Sequence, residues 1–585
     1  MQSVDFTTLT ASCAELRSQW IPSRIEQVYQ CDRYTIALAL RTIHKRAWLT
    51  VSWHPQAARI HIGDPPPKIP DTFTFSDQLR HQLNGYVITA IELIAPWERV
   101  IDFKIAKRPD DPPVWHLYVE IMGKYSNVIL TDASNQIITV AHQVTASQST
   151  VRTVETGQSY EPPPPLFGTN PSLEESFSSW QERVNLIPDQ IERQLIKTYR
   201  GVSPVIARFL LKNACKDEPW RVSTFPQTTT DQLTQNDWES LFNEWQNWLN
   251  TIKTESFQPA RTKTGYTVLG GEDSEPVSSV QSLLSRYYTD YLNQETFQQL
   301  RHQLSQKINA ILGKLKQKAK TFTERLQQSE NADQYRQQAD LLMAYVYQWE
   351  AGMFSITLPD FETGLPVTIP LNPEKNGVLN AQNLYKQHQK LKRALQAVKP
   401  LLDEVTAEIQ YLEQVSASLS GLEQYQTPDD LQTLEEIRDE LIEQNYFESQ
   451  PRPKNSTDES KPYRYLMPSG SEIWIGRNNR QNDILTFRTA GDYDLWFHTQ
   501  EIAGSHVLLR LQPGSVPDES ELQLAADWAA HFSQSRQSAQ VPVVYTKPKY
   551  VYKPKGGKPG MVIYKQEQVL WGSPERVTKY LKNLV

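Results

Sequence analysis

Two heptad-like hydrophobic patterns lie in the second half of the chain and limit the folds that it can adopt. Apolar residues recur three and four apart over residues 297–326 and again over 391–419. This spacing places them on one face of a helix, so two such arms predict an antiparallel coiled-coil hairpin. Ser416 occupies one position of the apolar seam, and Pro400 is expected to kink or offset the second arm. An ordinary bundle of packed helices is the alternative.

The length of 585 residues is enough for three or four domains that each bury a core. We expect an α+β multidomain protein whose boundaries lie where the composition changes. Prolines at 162–165 close the first domain, because proline continues neither a helix nor a sheet interior. The predicted parts are a β-rich domain at 1–168, a helical domain at 169–275, the hairpin at 276–449 with an insertion at 330–378, a polar linker at 450–460, and an α+β domain at 461–585.

Hydrophobic periodicity predicts the elements inside these parts. Helical spacing over 9–20 and 75–83 predicts two helices, and short alternating segments between residues 23 and 132 predict a series of strands. A small β element is expected at 354–371, at the tip of the hairpin.

A polar break, Gly201-Val202-Ser203-Pro204, separates two apolar-periodic helices. Glycine is suited to end the first helix, while Ser203 and Pro204 fit the N-cap and first position of the second. Such a turn can present backbone N–H groups to a phosphate, which makes Gly201 and Ser203 phosphate-binding candidates. An ordinary helical hairpin is the alternative.

Charge is distributed unevenly along the chain. The formal net charge is −7, yet residues 461–585 contain 16 Lys and Arg against 11 Asp and Glu, a local balance of +5. This asymmetry fits a basic binding module on an acidic body, although a modest excess of charge is also typical of a solvated face.

Three widely separated cysteines, Cys13, Cys31 and Cys215, indicate neither a disulfide framework nor a zinc site. There is no secretory leader pattern and no run of 18 apolar residues, so we expect a cytoplasmic protein without a membrane span.

The usual catalytic and phosphate-loop motifs are missing from the sequence, and no ligand spacing around the histidines predicts a metal site. The motifs therefore predict no catalytic site, no cofactor and no metal.

The C-terminal domain combines Asn, Gln, Arg, His and Lys with aromatic residues on strand-like segments. Cations neutralise phosphates, amides bond to bases or ribose, and aromatic rings stack on unpaired bases, so this composition predicts an RNA-binding surface. The alternative is that the aromatic residues belong to a core. The candidates are Arg477, Asn478, Asn479, Gln481, Asn482, Asp494, Trp496, His498, Ser505, His506, Lys547, Lys553 and Lys558.

Asp5, Glu98 and Arg99 are the unusual charged residues of the first domain. Glu98 and Arg99 fall between two predicted strands, where the pair could face a ligand. By pattern alone, a surface ion pair is the more common explanation.

These motifs resemble the NFACT family, also called the RqcH or fibronectin-binding-protein-A-like family. The resemblance runs in order from about residue 3 to 565. The matching stretches are 120–127, 151–153, Gly157, 160–163, 201–204, 380–382, 436–441, 476–479, 481–483, 494–498, 504–507 and 558–560.

The resemblance implies an NFACT-N domain similar in fold to formamidopyrimidine-type DNA glycosylases, a helix-hairpin-helix domain, the coiled-coil hairpin and an NFACT-R domain. Family members bind the large ribosomal subunit obstructed by peptidyl-tRNA and recruit tRNA, typically alanyl-tRNA in bacteria. They promote mRNA-independent addition of a C-terminal tail that marks the stalled chain for degradation, while the ribosome supplies the peptide-bond chemistry. This chain opens Met1-Gln2-Ser3 without the N-terminal proline nucleophile, so we expect no glycosylase activity.

The resemblance also implies roles for three residues. Tailing in the family relies on an aspartate near the N-terminus and on an Asp-Arg pair, which Asp5 and Arg99 match. Glu98 stands where the pair has aspartate, and it keeps the charge on a side chain one methylene longer. The family's Pro-Gly-Ser-His is Ala503-Gly504-Ser505-His506 here. The alternatives are a fibronectin-binding surface adhesin and a subunit-binding factor without tailing activity.

Overall fold

A computed structural model describes residues 1–66, 70–165, 167–215, 224–330, 332–448 and 459–584. The described chain divides into two compact units. The first comprises Met1–Leu292, and the second begins at Asn293. The predicted linker at 450–460 lies mostly outside the described residues, and the other predicted domain boundaries stay predictions.

The first unit opens with a helix and a nine-stranded antiparallel sheet. The helices are α1 (Phe6–Trp20) and α2 (Thr74–Leu83), and the strands are β1 (Ser23–Asp32), β2 (Thr35–Arg41), β3 (Arg46–Ser52), β4 (Arg59–Gly63), β5 (Val87–Leu93), β6 (Val100–Ala106), β7 (Trp115–Glu120), β8 (Asn127–Asp132) and β9 (Ile137–Val140). The spatial order is β4-β3-β2-β1-β5-β6-β7-β8-β9, so most strands pair with their neighbours in sequence. Alternating apolar residues such as Leu117 and Val119 face one core, and the predicted strands and both helices are confirmed.

Helices dominate the rest of the first unit. They are α3 (Phe177–Val184), α4 (Ile191–Thr198), α5 (Pro204–Ala214) and α6 (Gln235–Thr254), followed by a small sheet of β10 (Ala260–Thr262), β11 (Gly265–Thr267) and β12 (Glu275–Pro276). Trp180, Trp245 and Trp248 are fully buried in a second core formed by these helices. Two helices thus flank the Gly201 turn, while a helix-hairpin-helix fold stays a prediction.

Long helices form the start of the second unit. The elements are α7 (Val280–Glu330), whose first residues belong to the first unit, α8 (Ala332–Ala344), β13 (Ser355–Pro359), β14 (Pro366–Pro370), α9 (Gly377–Gly421) and α10 (Pro428–Glu443). Leu304 of α7, Leu412 of α9 and Leu434 of α10 belong to one hydrophobic cluster. Two antiparallel strands lie in the predicted insertion, and Pro400 lies inside the continuous helix α9. A coiled coil in the strict sense stays a prediction.

The C-terminal part of the second unit is a six-stranded antiparallel sheet covered by helices. Its elements are β15 (Tyr463–Leu466), β16 (Glu472–Ile475), α11 (Asn479–Ile484), β17 (Leu495–Thr499), β18 (Val507–Arg510), α12 (Glu519–His531), β19 (Val541–Thr546), β22 (Gln568–Gly572) and α13 (Pro574–Leu584), with the separate pair β20 (Val551–Tyr552) and β21 (Ile563–Tyr564). The sheet order is β15-β16-β18-β17-β19-β22. Trp528 of α12 packs against Phe497 and its neighbours in the core.

Across the residues that the structure describes, no helix is long and apolar enough to cross a membrane.

Candidate nucleic-acid interface

Two candidate residues of the first unit, Asp5 and Ser203, are in direct contact. Asp5 is the N-cap of α1, where its Oδ1 accepts a hydrogen bond of 2.8 Å from the Thr8 N–H. Its Oδ2 accepts a hydrogen bond of 2.6 Å from the Ser203 hydroxyl, and Ser203 in turn caps α5 by accepting from the Ile206 N–H at 3.1 Å. Because helix N-termini carry partial positive charge, this position stabilises the carboxylate of Asp5.

Gly201 lies against an aromatic ring. Its φ is +75°, and an added Cβ would lie 2.5 Å from Cε3 of Trp97, so only glycine fits this turn. Trp97 itself has a φ of 64° and packs on Phe6 and Trp248, with ring centroids 4.7 and 5.5 Å apart. The side of the turn that Trp97 covers has no room for a phosphate, and phosphate binding by Gly201 and Ser203 stays a prediction.

Glu98 and Arg99 follow Trp97 and are half-buried. The Arg99 guanidinium donates from Nη1 to the Val4 carbonyl at 3.4 Å. Burial lowers the pKa of Arg99, while the carboxylates of Asp5 and Glu98 act in the opposite direction. The structure therefore brings Asp5, Glu98 and Arg99 into one electrostatic environment.

Arg200, which was not among the residues predicted from the sequence, completes this cluster. Its Nη1 lies 3.9 Å from Oε1 of Glu98, an oxygen that is buried and has no hydrogen-bond partner among the described residues. Its position directly before Gly201, at the predicted turn, is the sequence signal that could have identified it. Two guanidinium groups and two carboxylates make the cluster formally neutral, and the half-buried arginines keep donors available for a phosphate or a base edge.

In the second unit, most candidate RNA contacts lie inside the protein. Ten of the thirteen side chains are at most 9% exposed: Arg477, Asn478, Asn479, Gln481, Asn482, Asp494, Trp496, His498, Ser505 and His506. In this structure their side chains offer RNA little or no accessible surface. The high density of polar residues has another physical cause, because buried polar groups need hydrogen-bond partners.

Three consecutive polar residues bind three carboxylates of α10. Nη1 of Arg477 lies 2.8 Å from Oδ1 of Asp430, and its guanidinium stacks over the ring of Tyr463. The Asn478 amide donates to Glu436 at 2.7 Å, and the Asn479 amide donates to Glu440 at 3.1 Å. Burial raises the pKa of Glu440, although hydrogen bonds from Tyr411 and Asn479 oppose this. These contacts join α10 to the sheet domain.

The remaining buried candidates also have partners within the domain. The amide of Gln481 donates to the Ser460 carbonyl at 2.6 Å, Oδ1 of Asn482 accepts from the His506 N–H at 3.1 Å, and Asp494 accepts from the Gly491 N–H at 2.7 Å. The pattern is that of a buried hydrogen-bond network.

The two histidines take part in the same network. Nε1 of Trp496 donates to the Thr486 hydroxyl at 3.1 Å, and that hydroxyl lies 2.7 Å from Nδ1 of His506. Nε2 of His498 lies 3.2 Å from the Gly504 carbonyl oxygen. Burial lowers the pKa of His498 to about 4 and that of His506 well below its ordinary value. Within the described ranges, no group of three or more His, Cys, Asp or Glu residues could hold a metal ion.

Lys547 is exposed, whereas the ammonium groups of the other two lysine candidates contact protein groups of the described chain. Nζ of Lys553 lies 2.7 Å from Asp483, and Lys558 lies over the rings of Tyr411 and Tyr446 at 4.7 and 4.5 Å. Burial lowers the pKa of Lys558.

The wider segment 547–565 contains six lysines and no acidic residue, and it includes exposed side chains that the candidate list omitted: Lys549, Tyr552, Lys555 and Lys565. We call this segment the lysine segment. Exposed ammonium groups of this kind have the charge that complements RNA phosphates.

Comparison with solved structures gives partial matches. The C-terminal part of a fibronectin/fibrinogen-binding protein from Streptococcus suis is 31% identical, with a TM-score of 0.37, and the match covers 48% of this chain and 98% of that chain. The N-terminal part of that protein is 25% identical with a TM-score of 0.39, over 49% of this chain and 100% of the other.

Comparison with protein families and curated proteins covers nearly the whole chain. The protein described as "Rqc2 homolog RqcH" in Bacillus subtilis is 32% identical over 96% of both chains, and its namesake in Streptococcus suis is 31% identical over 96% of both. The model for the NFACT N-terminal and middle domains matches residues 5–460, and the model for the NFACT protein RNA binding domain matches residues 461–566. The chain therefore belongs to the NFACT family and has the family's RNA-binding domain at residues 461–566.

Proposed function

We propose that this protein is an RNA-binding factor of ribosome-associated quality control. In this proposal it binds the large ribosomal subunit obstructed by peptidyl-tRNA and recruits tRNA, with alanyl-tRNA as the expected species. It then promotes mRNA-independent tailing of the stalled chain, and the ribosome supplies the peptide-bond chemistry. The observation that carries the proposal is the exposed lysine segment within the matched RNA-binding domain.

The two candidate regions have different tasks in this proposal. The lysine segment supplies affinity, because lysines that neutralise phosphates contribute binding free energy without reading sequence. The cluster of Asp5, Glu98, Arg99 and Arg200 combines donors with acceptors, as selective recognition of one RNA requires. We therefore assign the choice of tRNA to the first unit.

Sequencing of RNA crosslinked to the tagged protein in cells tests this function. We expect ribosomal RNA of the large subunit and a narrow set of tRNAs, with alanine tRNAs enriched. A matched sample should come from a variant with Lys547, Lys549 and Lys555 replaced by glutamate. Recovery of neither RNA class above a mock purification would reject the proposal.

Tail synthesis needs a separate measurement. A reporter translated from a message without a stop codon is expected to carry untemplated C-terminal residues only when the protein is present. Normal subunit binding without such residues would assign the protein to the subunit-binding factors that lack tailing.

A further inference from the structure

A polar cavity interrupts the hydrophobic contact between α7 and α9. Its volume is about 110 Å³. Its polar lining residues are Arg301, Ser305 and Asn309 of α7 and Ser416 and Ser420 of α9. These positions, together with the ion pair of Lys316 and Glu413, show that the two helices run antiparallel here. The cavity thus lies at the seam position where Ser416 replaces an apolar residue.

Arg301 has no counter-ion at this seam. Its Nε is buried without a hydrogen-bond partner, and no carboxylate of a described residue lies within ion-pair distance of its guanidinium. Leaving a buried donor of a charged group unsatisfied costs more than an average hydrogen bond contributes. A ligand that accepts hydrogen bonds from Arg301 would remove this cost.

The other polar groups of the cavity fit the same kind of ligand. Ser305 and Ser416 are partly buried and Asn309 is exposed at the mouth of the cavity, and the side chains of all three can donate hydrogen bonds. The lining contains no carboxylate in the part of the chain that the structure describes. Arg536 lies outside this lining: its Nη1 donates to the backbone carbonyl of Ser420 at 2.6 Å and is paired with Glu423 at 3.1 Å, so Arg301 is the cation of the cavity.

The size of the cavity also suits a small anion. A single bound water needs about 10–15 Å³ of cavity volume, so a cavity of about 110 Å³ has room for a ligand larger than one water, such as a tetrahedral oxyanion. A guanidinium surrounded by hydroxyl and amide donors is a common arrangement for binding phosphate oxygens.

From this geometry we propose that the cavity between α7 and α9 binds a phosphate group, with Arg301 as the principal ligand. The phosphate is either free inorganic phosphate or part of an RNA backbone, since both present the same oxygens. This inference does not depend on the proposed function, because inorganic phosphate alone can occupy the site.

Thermal unfolding of the full-length protein in sodium phosphate, compared with sodium chloride at equal ionic strength, measures the free-anion affinity. We expect phosphate to raise the unfolding midpoint of the wild type, and Arg301→Gln to weaken the apparent affinity at least about tenfold. Ser416→Leu fills the cavity with the apolar residue that the heptad favours, so it is expected to abolish the phosphate effect without unfolding the hairpin. Arg393→Gln, an exposed arginine of α9, is the matched control and should behave as the wild type.

Fluorescence anisotropy with a labelled tRNA transcript separates the two sources of phosphate. If RNA occupies the cavity, Arg301→Gln should lower the salt dependence of log Kd by about one unit of slope. An unchanged slope together with a lost phosphate response assigns the site to the free anion. Equal stabilisation of the wild type, Arg301→Gln and Ser416→Leu by phosphate would overturn the proposal. It would also be overturned if phosphate did not stabilise the wild type and Arg301→Gln left the salt dependence of tRNA binding unchanged.

Discussion

The carboxylate of Asp5 accepts a hydrogen bond of 2.6 Å from the hydroxyl of Ser203, which lies 198 positions later in the chain. Each residue is also the N-cap of a helix, so one hydrogen bond joins the starts of α1 and α5. Asp5 therefore supports the fold as well as any RNA contact, and an experiment on its function has to separate the two roles.

Substitution of Asp5 should distinguish its charge from its hydrogen bonds. Asp5→Ala removes the cap of α1 and the acceptor for Ser203, which together are expected to cost about 2 kcal/mol of unfolding free energy. Asp5→Asn keeps an acceptor oxygen and should cost less than half as much. Thermal unfolding of both variants gives the comparison, and equal losses would contradict a role for the cap geometry.

The turn at Gly201 offers a second test of this contact region. Gly201→Ala meets both the positive φ and the ring of Trp97, whereas Gly157 has a φ of +87° with nothing within 4 Å of an added Cβ. Gly157→Ala is therefore the matched control and should cost about 1 kcal/mol for its backbone conformation. Gly201→Ala should cost roughly 1–3 kcal/mol more because of overpacking, as measured by thermal unfolding. Similar losses in the two variants would mean that Trp97 moves away without cost.

The local fold was largely predictable from sequence. Apolar alternation located eight of the nine strands but missed β9, and the Gly-X-Ser-Pro pattern located the turn between α4 and α5, because these depend on neighbouring residues. The contact of Asp5 with Ser203 could not be predicted in this way, because nothing local in a sequence encodes a hydrogen bond across 198 positions. The resemblance to the family singled out Asp5 and Arg99 but not their neighbour Arg200.

The polar residues around Asn479 were predicted from composition to form an RNA-binding surface, but they lie inside the protein. Composition alone does not separate a surface that binds RNA from a buried network that joins two elements, since both need amides, guanidinium groups and aromatic rings. The deciding information was the set of carboxylates on α10, about forty residues earlier: Asp430, Glu436 and Glu440. The three carboxylates of α10 are a sequence signal that residues 477–479 have a partner within the protein.

Burial of the histidines predicts a pH dependence of stability. Because burial holds the pKa of His498 at about 4, below its ordinary value of 6.5, the unfolded chain binds the proton first as the pH falls. The free energy of unfolding should therefore decrease between pH 6.5 and pH 4, by up to about 3 kcal/mol from this group. His498→Gln should make the profile flatter in this range, whereas His44→Gln, at an exposed position, should leave it unchanged. Identical pH profiles of stability for the wild type and His498→Gln would show that His498 does not cause this loss of stability.

The lysine segment predicts a salt-dependent RNA affinity. Replacing Lys547, Lys549 and Lys555 by glutamate removes three exposed cations and should weaken tRNA binding at least about tenfold at low salt, with a smaller slope of log Kd against log salt. The charge-matched control replaces three exposed lysines outside the segment: Lys461, Lys579 and Lys582. Fluorescence anisotropy across a salt series measures both affinities. If the control loses as much affinity as the triple variant, net charge and not the segment determines binding.

The guanidinium of Arg99 is expected to matter for tail synthesis more than for folding. Its side chain makes one long hydrogen bond of 3.4 Å to Val4, so Arg99→Gln removes little hydrogen bonding from the folded protein. We expect this variant to bind large ribosomal subunits within about twofold of the wild type but to lower tail synthesis about tenfold or more, since a charge-assisted hydrogen bond is worth about 1.5–3 kcal/mol.

Two further variants complete this comparison. Glu98→Asp keeps the carboxylate and should sustain tails, and Arg108→Gln, at an exposed loop position, is the matched control. Reporter mass spectrometry and subunit cosedimentation, measured on the same preparations, give the two readouts. Because Arg99 lies beside both Asp5 and Glu98, loss of its charge leaves Arg200 as the remaining cation of the cluster, so the two carboxylates outnumber the cations and should repel RNA phosphates. Normal tails in Arg99→Gln would remove Arg99 from the proposed tRNA contact and leave Arg200 as the guanidinium to test next.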